Sequence, residues 1–272
     1  MKKSGIITAL AAAAIFGGSL TSCDEVKEND RYIDMGEITA KRTVLLEEFT
    51  GQKCTNCPSA HESIEKIEEQ YGDNLIAVSI HATTLAINED HNSKISGLKQ
   101  PEGDEYSQKW GVSTIPIGVV NRKSGLTDPG AWQGLVREYM QNDSPIAITL
   151  SATLDETGEK INIETDIDAG DNITGKLQLW VVESGIVAVQ LLLDGSLSPN
   201  YVHNNVFRAA VNGTWGQDVT LVTRESQSFA HSISVKSNWN IDNLSIVAFI
   251  YTDTDGVLQA AKSPVGNSKT TE

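Results

Sequence analysis

The stretch Thr43-Val44-Leu45-Leu46-Glu47-Glu48-Phe49-Thr50-Gly51-Gln52-Lys53-Cys54-Thr55-Asn56-Cys57-Pro58 decides the fold. Residues 43–49 are a short apolar, β-prone run and read as a buried strand. Residues 50–53 make a turn. From Pro58 to Tyr71 the pattern turns helical, with Ile64 and Ile67 on one face and Glu62, Glu65, Lys66, Glu68 and Glu69 elsewhere. Pro58 suits the first turn of a helix, where its missing N–H costs nothing. A C-x-x-C pair therefore sits where a buried strand hands over to a helix.

Working outward, Asn74 to Ile80 reads as a second strand and residues 82–101 as a polar inserted loop. Glu102 to Trp110 is a short helix, Thr114 to Val120 another strand, and Asp128-Pro129-Gly130 caps a last helix ending near Gln141. The order is β, α, β, α, β, short β, α. With C-x-x-C at the first junction, it resembles the thioredoxin family. The resemblance implies that Cys54 is the attacking cysteine and Cys57 the resolving one. It implies a cis-proline at Pro116, after Ile115, opposite the pair. Glu48 falls where thioredoxins place a buried acid near the resolving cysteine. Two departures, Thr55-Asn56 between the cysteines and Lys53 before them, bear on redox potential and partner surface.

A cysteine at a helix N-terminus meets unpaired N–H groups and the positive end of the dipole, which favours thiolate. Lys53 adds a positive charge. Cys54 would then form a mixed disulfide that Cys57 resolves, with Glu48 passing the proton of Cys57. The pair can instead be a permanent disulfide stiffening the junction. Zinc is a third reading, since Cys54, Cys57 and His61 are spaced C-x2-C-x3-H, with His81 or His91 as a fourth ligand. Haem attachment needs C-x-x-C-H, and Pro58 occupies that histidine position. No cofactor and no metal is expected.

The ends of the chain carry a different signal. Lys2 and Lys3 precede a mainly apolar, uncharged run from Ile6 to Leu20, shorter than the roughly 20 residues a membrane span needs. Leu20-Thr21-Ser22-Cys23 then reads as a lipobox, with residues 1–22 as signal peptide and Cys23 as the lipid attachment site. Residues 23–39 read as an acidic tether that opens with Asp24-Glu25-Val26-Lys27-Glu28-Asn29-Asp30. Lipidation of Cys23 accounts for the odd count of three cysteines and leaves Cys54 and Cys57 as a pair. The net charge is −15, which argues against nucleic-acid binding and leaves membrane attachment to the lipid.

Asn142-Asp143-Ser144-Pro145 marks a boundary between a thioredoxin-like domain, residues 40–142, and a β-rich domain, residues 144–272. Residues 146–154, 160–167, 176–182, 186–193, 219–222, 226–235 and 244–251 read as strands. Turn signals separate them, among them Thr157-Gly158, Asp194-Gly195 and Asp255-Gly256. Seven or so short strands predict an immunoglobulin-like sandwich, so the fold class is α/β followed by all-β. His203, Asn204, Asn205 and Arg208 form a candidate polar binding site, or else tie a strand end to backbone. Trp215 reads as a core plug, and Asp166, Asp168 and Asp171 as an acidic loop with a weak calcium signal.

Tyr201 to Gly216, with Glu47 to Gly51 and the cysteine pair, resemble the Bacteroidetes outer-membrane lipoproteins named for a size near twenty-eight kilodaltons. Tyr251 to Ala261 fits the same family. The resemblance implies location and architecture more than activity: a lipid anchor in the outer membrane, with surface exposure suggested by the acidic stretch after Cys23. The leading expectation is thiol-disulfide exchange on exported protein thiols and disulfides. The alternative is a non-catalytic surface binding or adhesion lipoprotein in which Cys54–Cys57 is structural.

Overall fold

The computed structural model describes residues 38–89 and 96–266. The expected signal peptide, Cys23, nearly all of the tether and His91 lie outside the described residues.

Side chains of a strand alternate between its two faces. In β1 (Val44–Thr50), buried throughout, Val44 and Leu46 face one layer and Leu45 and Phe49 the other. The adjacent Glu47 and Glu48 therefore point in opposite directions. β1 runs parallel to β2 (Leu75–His81), from Val44 opposite Leu75 to Thr50 opposite His81, and antiparallel to β3 (Ile117–Val120). β4 (Leu126–Thr127) ends this edge. α1 (Cys57–Tyr71) and α3 (Pro129–Tyr139) cover the first face with Ala60, Ile64, Ile67, Trp132 and Val136. α2 (Pro101–Trp110) sends Tyr106 into the core on the opposite face. Each large aliphatic or aromatic side chain buried here contributes about 1.5–3 kcal/mol.

The rest of the described chain is strands: β5 (Ile146–Leu154), β6 (Lys160–Ala169), β7 (Ile173–Glu183), β8 (Ile186–Leu191), β9 (Leu197–His203), β10 (Val206–Ala210), β11 (Gln217–Leu221), β12 (Ser226–Ser234), β13 (Leu244–Thr252) and β14 (Gly256–Pro264). They do not form a separate body. The main sheet runs β14-β13-β7-β10-β2-β1-β3-β4, with β11 also on β7. β10 is the seam: it lies parallel to β2, with Val206 opposite Ser79, and antiparallel to β7. The Asn142–Pro145 boundary therefore does not divide one sheet from another, and strands on either side of it belong to one compact unit. The physical reason is that β10 has backbone partners on both edges, which seals the sheet.

β7 explains the layering. Leu177, Leu179 and Val181 pack with Ile161, Ile163 and Ile167 of the three-stranded sheet β12-β6-β5. Trp180 and Val182 point the other way, onto Leu45, Phe49 and Tyr106. A strand buried on both faces reads as an unbroken apolar run rather than an alternating one. Three strands escape the sequence pattern. β9 carries Pro199 and β10 carries Arg208, both of which interrupt a strand pattern. β14 follows the Asp255-Gly256 turn, where Gly256 has φ +68° and any Cβ would lie 2.1 Å from the Asn121 carbonyl oxygen.

Candidate thiol-disulfide site

Cys54 and Cys57 are joined as a disulfide, with Cα atoms 5.5 Å apart. Cys57 opens α1 and is fully buried, whereas Cys54 keeps 4% of its surface. The Ile115–Pro116 peptide is cis, and the Ile115 carbonyl oxygen lies 3.7 Å from Cys54 Sγ. Cys54 thus lies beside the cis peptide, through the Ile115 carbonyl.

The loop bearing the pair is held from three sides. The Lys53 N–H donates to the Leu85 carbonyl at 2.8 Å, and the Cys54 N–H to the Gly51 carbonyl at 3.0 Å. Gly51 is needed here, because a Cβ would sit 2.7 Å from the Leu85 carbonyl carbon. Gln52 is buried; its side-chain amide donates to Ser96 (2.9 Å) and Val189 (3.3 Å) and accepts from the Leu98 N–H. Its own carbonyl accepts the Leu191 N–H at 2.8 Å. Buried Gln190 donates to the Cys54 carbonyl at 2.8 Å. The β8–β9 ribbon is therefore bound to the loop through its inward-facing polar groups.

Glu48 sits under the helix, fully buried. It accepts from Ser79 Oγ at 2.7 Å, and its other oxygen is 3.3 Å from His61 Nε2. His61 stands one helical turn after Cys57, on the same face. Its Nε2 lies 3.0 Å from Thr50 Oγ1 and its Nδ1 2.9 Å from the Tyr201 hydroxyl. Burial pushes the His61 pKa down, but the Glu48 carboxylate outweighs it and the net shift is upward. Burial also raises the Tyr201 hydroxyl to about 12. Farther in, the rings of His81 and His203 meet edge to face at 5.3 Å. Burial and the neighbouring histidine charges hold both below the ordinary range, His203 at about 4.

The polar residues 203–208 do not gather into one pocket. His203 is buried against His81 and Tyr201. Asn204 is exposed, and its side-chain oxygen accepts the Gly185 N–H. Asn205, at φ +55°, donates to Glu68 and accepts from Lys262. Arg208 is buried between Glu183 (3.2 Å) and Glu89 (3.1 Å). Asp166 and Asp168 lie on β6 and accept from Ser228 and Ser226. Among the described residues, no group of three histidine, cysteine or acidic side chains is arranged to hold a metal ion.

Sequence reasoning missed Gln52, Gln190, Tyr201 and the partner of Glu47. A carboxylate inside an apolar strand needs a buried cation. Arg122 supplies it, donating to Glu47 at 2.9 and 3.2 Å, with both side chains nearly inaccessible. The guanidinium carbon lies 4.4 Å from the Tyr251 ring centroid, 4.8 Å from Phe249 and 5.3 Å from Trp180. Trp215, expected as a core plug, is half-buried. It lines a cleft of about 570 Å³ beside this cage, with Lys109, Trp110 and Lys176.

Fold and site define a mostly β protein that carries a C-x-x-C disulfide at the strand-to-helix junction of its α/β edge. A family model described as outer membrane protein Omp28 matches residues 103–269, more than half of the chain. The chain belongs to that family, which associates it with the outer membrane. HBP35 of Porphyromonas gingivalis is similar in fold, with TM-score 0.67 and 17% identity, over 85% of this chain and 78% of that one. The Agrobacterium tumefaciens protein AGR_C_4864 is similar at TM-score 0.53 and 15% identity, over 86% of this chain and 99% of that one. A domain of the outer membrane lipoprotein Omp28 from Porphyromonas gingivalis aligns over 46% of this chain and 90% of that one, at 23% identity and TM-score 0.33. No curated protein sequence matches.

Proposed function

We propose that this chain is a lipid-anchored outer-membrane protein that performs thiol-disulfide exchange on exported proteins through Cys54 and Cys57. In this reading residues 40–142 are a thioredoxin-like unit, residues 144–272 an immunoglobulin-like unit joined to it through the shared sheet, and Cys23 bears the lipid. The observation that carries it is the meeting of Cys54 with the carbonyl of the cis Ile115–Pro116 peptide, just ahead of α1. A partner thiolate attacks Cys54, the less buried sulfur, and Cys57 leaves. In the reverse direction Cys57 resolves the mixed disulfide. Glu48 and His61, one helical turn on from Cys57, form an acid-base pair that would serve the leaving thiolate. Surface exposure completes the reading, supported by the acidic stretch that follows Cys23.

The redox equilibrium with glutathione tests this. A potential above about −270 mV supports exchange, and Cys57→Ser then traps mixed disulfides through Cys54 while Cys54→Ser traps few. A potential below about −300 mV, with no alkylatable thiol in freshly isolated protein, marks a structural disulfide. One observation favours that second reading, of a non-catalytic surface binding protein: Gln52 and Gln190 knit the cysteine loop to the ribbon through several hydrogen bonds.

A further inference from the structure

The chain has five tryptophans, and the structure divides them into two groups. Trp132 and Trp180 are fully buried and Trp239 nearly so. Trp110 and Trp215 are the two left partly open to solvent, and both line the same cleft, of about 570 Å³. That volume lies within the range of about 300–1,000 Å³ usual for small-molecule sites. Segments far apart in the chain build it. Lys109 and Trp110 come from the end of α2, Arg122 from the turn between β3 and β4, and Lys176 from β7. Trp215 comes from the link between β10 and β11, and Tyr251 and Asp253 from the end of β13. A smaller cavity of about 190 Å³ shares Lys176, Tyr251 and Asp253 with the cleft and so adjoins it.

The aromatic wall is fixed in advance. The Tyr251 hydroxyl donates to the Trp215 carbonyl at 2.7 Å and the Tyr106 hydroxyl to the Thr214 carbonyl at 2.6 Å. The Gln178 side-chain amide donates to the Gly213 carbonyl at 2.9 Å. Gly216 closes the turn at φ +71°, where a Cβ would sit 2.3 Å from the Leu177 carbonyl oxygen. A loop pinned at three successive carbonyls presents its indole without the ordering cost that a mobile loop would add to binding.

Charge and hydrogen bonding select the class of ligand. Arg122 is paired with buried Glu47, and Lys176 with Asp218 at 2.6 Å. Lys109 and Asp253 are exposed and enter none of the ion pairs among the described residues, so their opposite charges cancel across the cleft. The lining is thus close to neutral in a chain of net charge −15. An anion would meet Asp253, and a cation would meet the two lysines. A wholly apolar ligand would strip water from these groups and return no hydrogen bond. Glu47 takes Nε and Nη2 of Arg122 and leaves Nη1 buried, a donor on the cleft wall that no described residue satisfies. A hydroxyl both donates and accepts, so it can serve lysine and aspartate alike. A sugar ring combines such hydroxyls at its edge with an apolar C–H face that lies flat on an indole. We infer that this cleft binds a neutral oligosaccharide, with one ring on the tryptophan wall, its hydroxyls toward Lys109 and Asp253, and the next ring in the smaller cavity. The site makes no use of the cysteine pair.

Titration of the full chain, held in a sugar-free detergent, tests the proposal. The probes are cellotetraose, maltotetraose, mannotetraose and xylotetraose, with trigalacturonate as the charged comparison. Calorimetry reads affinity, and tryptophan fluorescence reads the site, because the other three indoles are buried away from any ligand. At least one neutral tetrasaccharide should bind and shift the emission, with an affinity unchanged between about 0.05 and 0.5 M salt. Trp215→Ala should weaken that binding about tenfold or more. Trp215 also packs on the core, so Lys109→Ala/Asp253→Ala serves as a second variant. Both of its positions are exposed; circular dichroism should show it folded, and its affinity should fall severalfold. Failure of every neutral tetrasaccharide to bind overturns the proposal. Binding that leaves the emission unmoved, or that both variants retain in full, overturns the assignment to this cleft. Binding of trigalacturonate alone, weakening as salt rises, overturns the neutral class and marks an anion site.

Discussion

His203 makes the stability of the fold depend on acid. The residue is 1% exposed, and its pKa is lowered from 6.5 to about 4, first by burial and then by the charge of His61. The Val189 carbonyl and Glu48 oppose the shift without reversing it. In the unfolded chain the imidazole takes its proton near pH 6.5; in the folded chain it waits until about pH 4. Between those values the unfolded state binds a proton that the native state refuses, so stability falls as pH falls through the window. The gap is worth about 3 kcal/mol, a large share of the roughly 5–15 kcal/mol that holds a typical protein folded. His81 pulls in the same direction. His61 opposes it: its pKa is raised, so its contribution is full below the unfolded value and is lost as pH rises through the folded one. His203→Phe keeps a ring against Tyr201 and His81 and removes the titrating group. Urea unfolding followed by circular dichroism should be run on both proteins from pH 7 to pH 4. The stability of wild type relative to His203→Phe should drop by about 3 kcal/mol across that range. Parallel pH profiles would refute the reasoning.

The other expected outcomes concern packing and anchoring. Arg122→Met leaves Glu47 buried and unpaired and should cost about 3–5 kcal/mol in urea unfolding, most of it restored by adding Glu47→Gln. Gly51→Ala drives a Cβ into the Leu85 carbonyl and should lower stability by about 1–3 kcal/mol, whereas Gly130→Ala, with open space around it, should lose little. If Cys23 bears the lipid, wild type should partition into detergent and Cys23→Ala into water; an unmodified N-terminus on the mature wild-type chain in mass spectrometry would contradict it.

β1, α1 and the short α2 are legible in the sequence because each declares its surroundings locally: an apolar run, a 3.6-residue stripe, a proline at the helix start. The cysteine pair is legible for the same reason, since its place depends on one junction. The seam is not. β10 is five residues long, contains a charged residue, and owes its existence to two neighbours far away in the chain. Arg208 looks like a ligand-binding residue in sequence; its ion pairs with Glu89 and Glu183, both far from it in the chain, show a buried structural charge. Glu47 was the missed clue, because a carboxylate in so apolar a strand demands a buried partner, although nothing local says that Arg122 is the one.

The seam also decides who owns the site. β9 passes into β10 through Asn204 and Asn205, and Asn205 fixes that passage by accepting the Ser79 N–H at its carbonyl and bonding Ser184, Glu68 and Lys262. Because β10 is locked between β2 and β7, the ribbon ahead of it is held over the N-terminal end of α1. Gln190 bonds the Cys54 carbonyl, while Tyr201 and His203 meet His61 of α1. Residues 40–142 alone would keep Cys54, Cys57, Glu48 and Pro116, yet would lose the hydroxyl on His61 and the amide on the Cys54 carbonyl. The surroundings of the pair are therefore built by the joined sheet, and the Ser79–Asn205 contact helps hold the ribbon whose Gln190 bonds the Cys54 carbonyl.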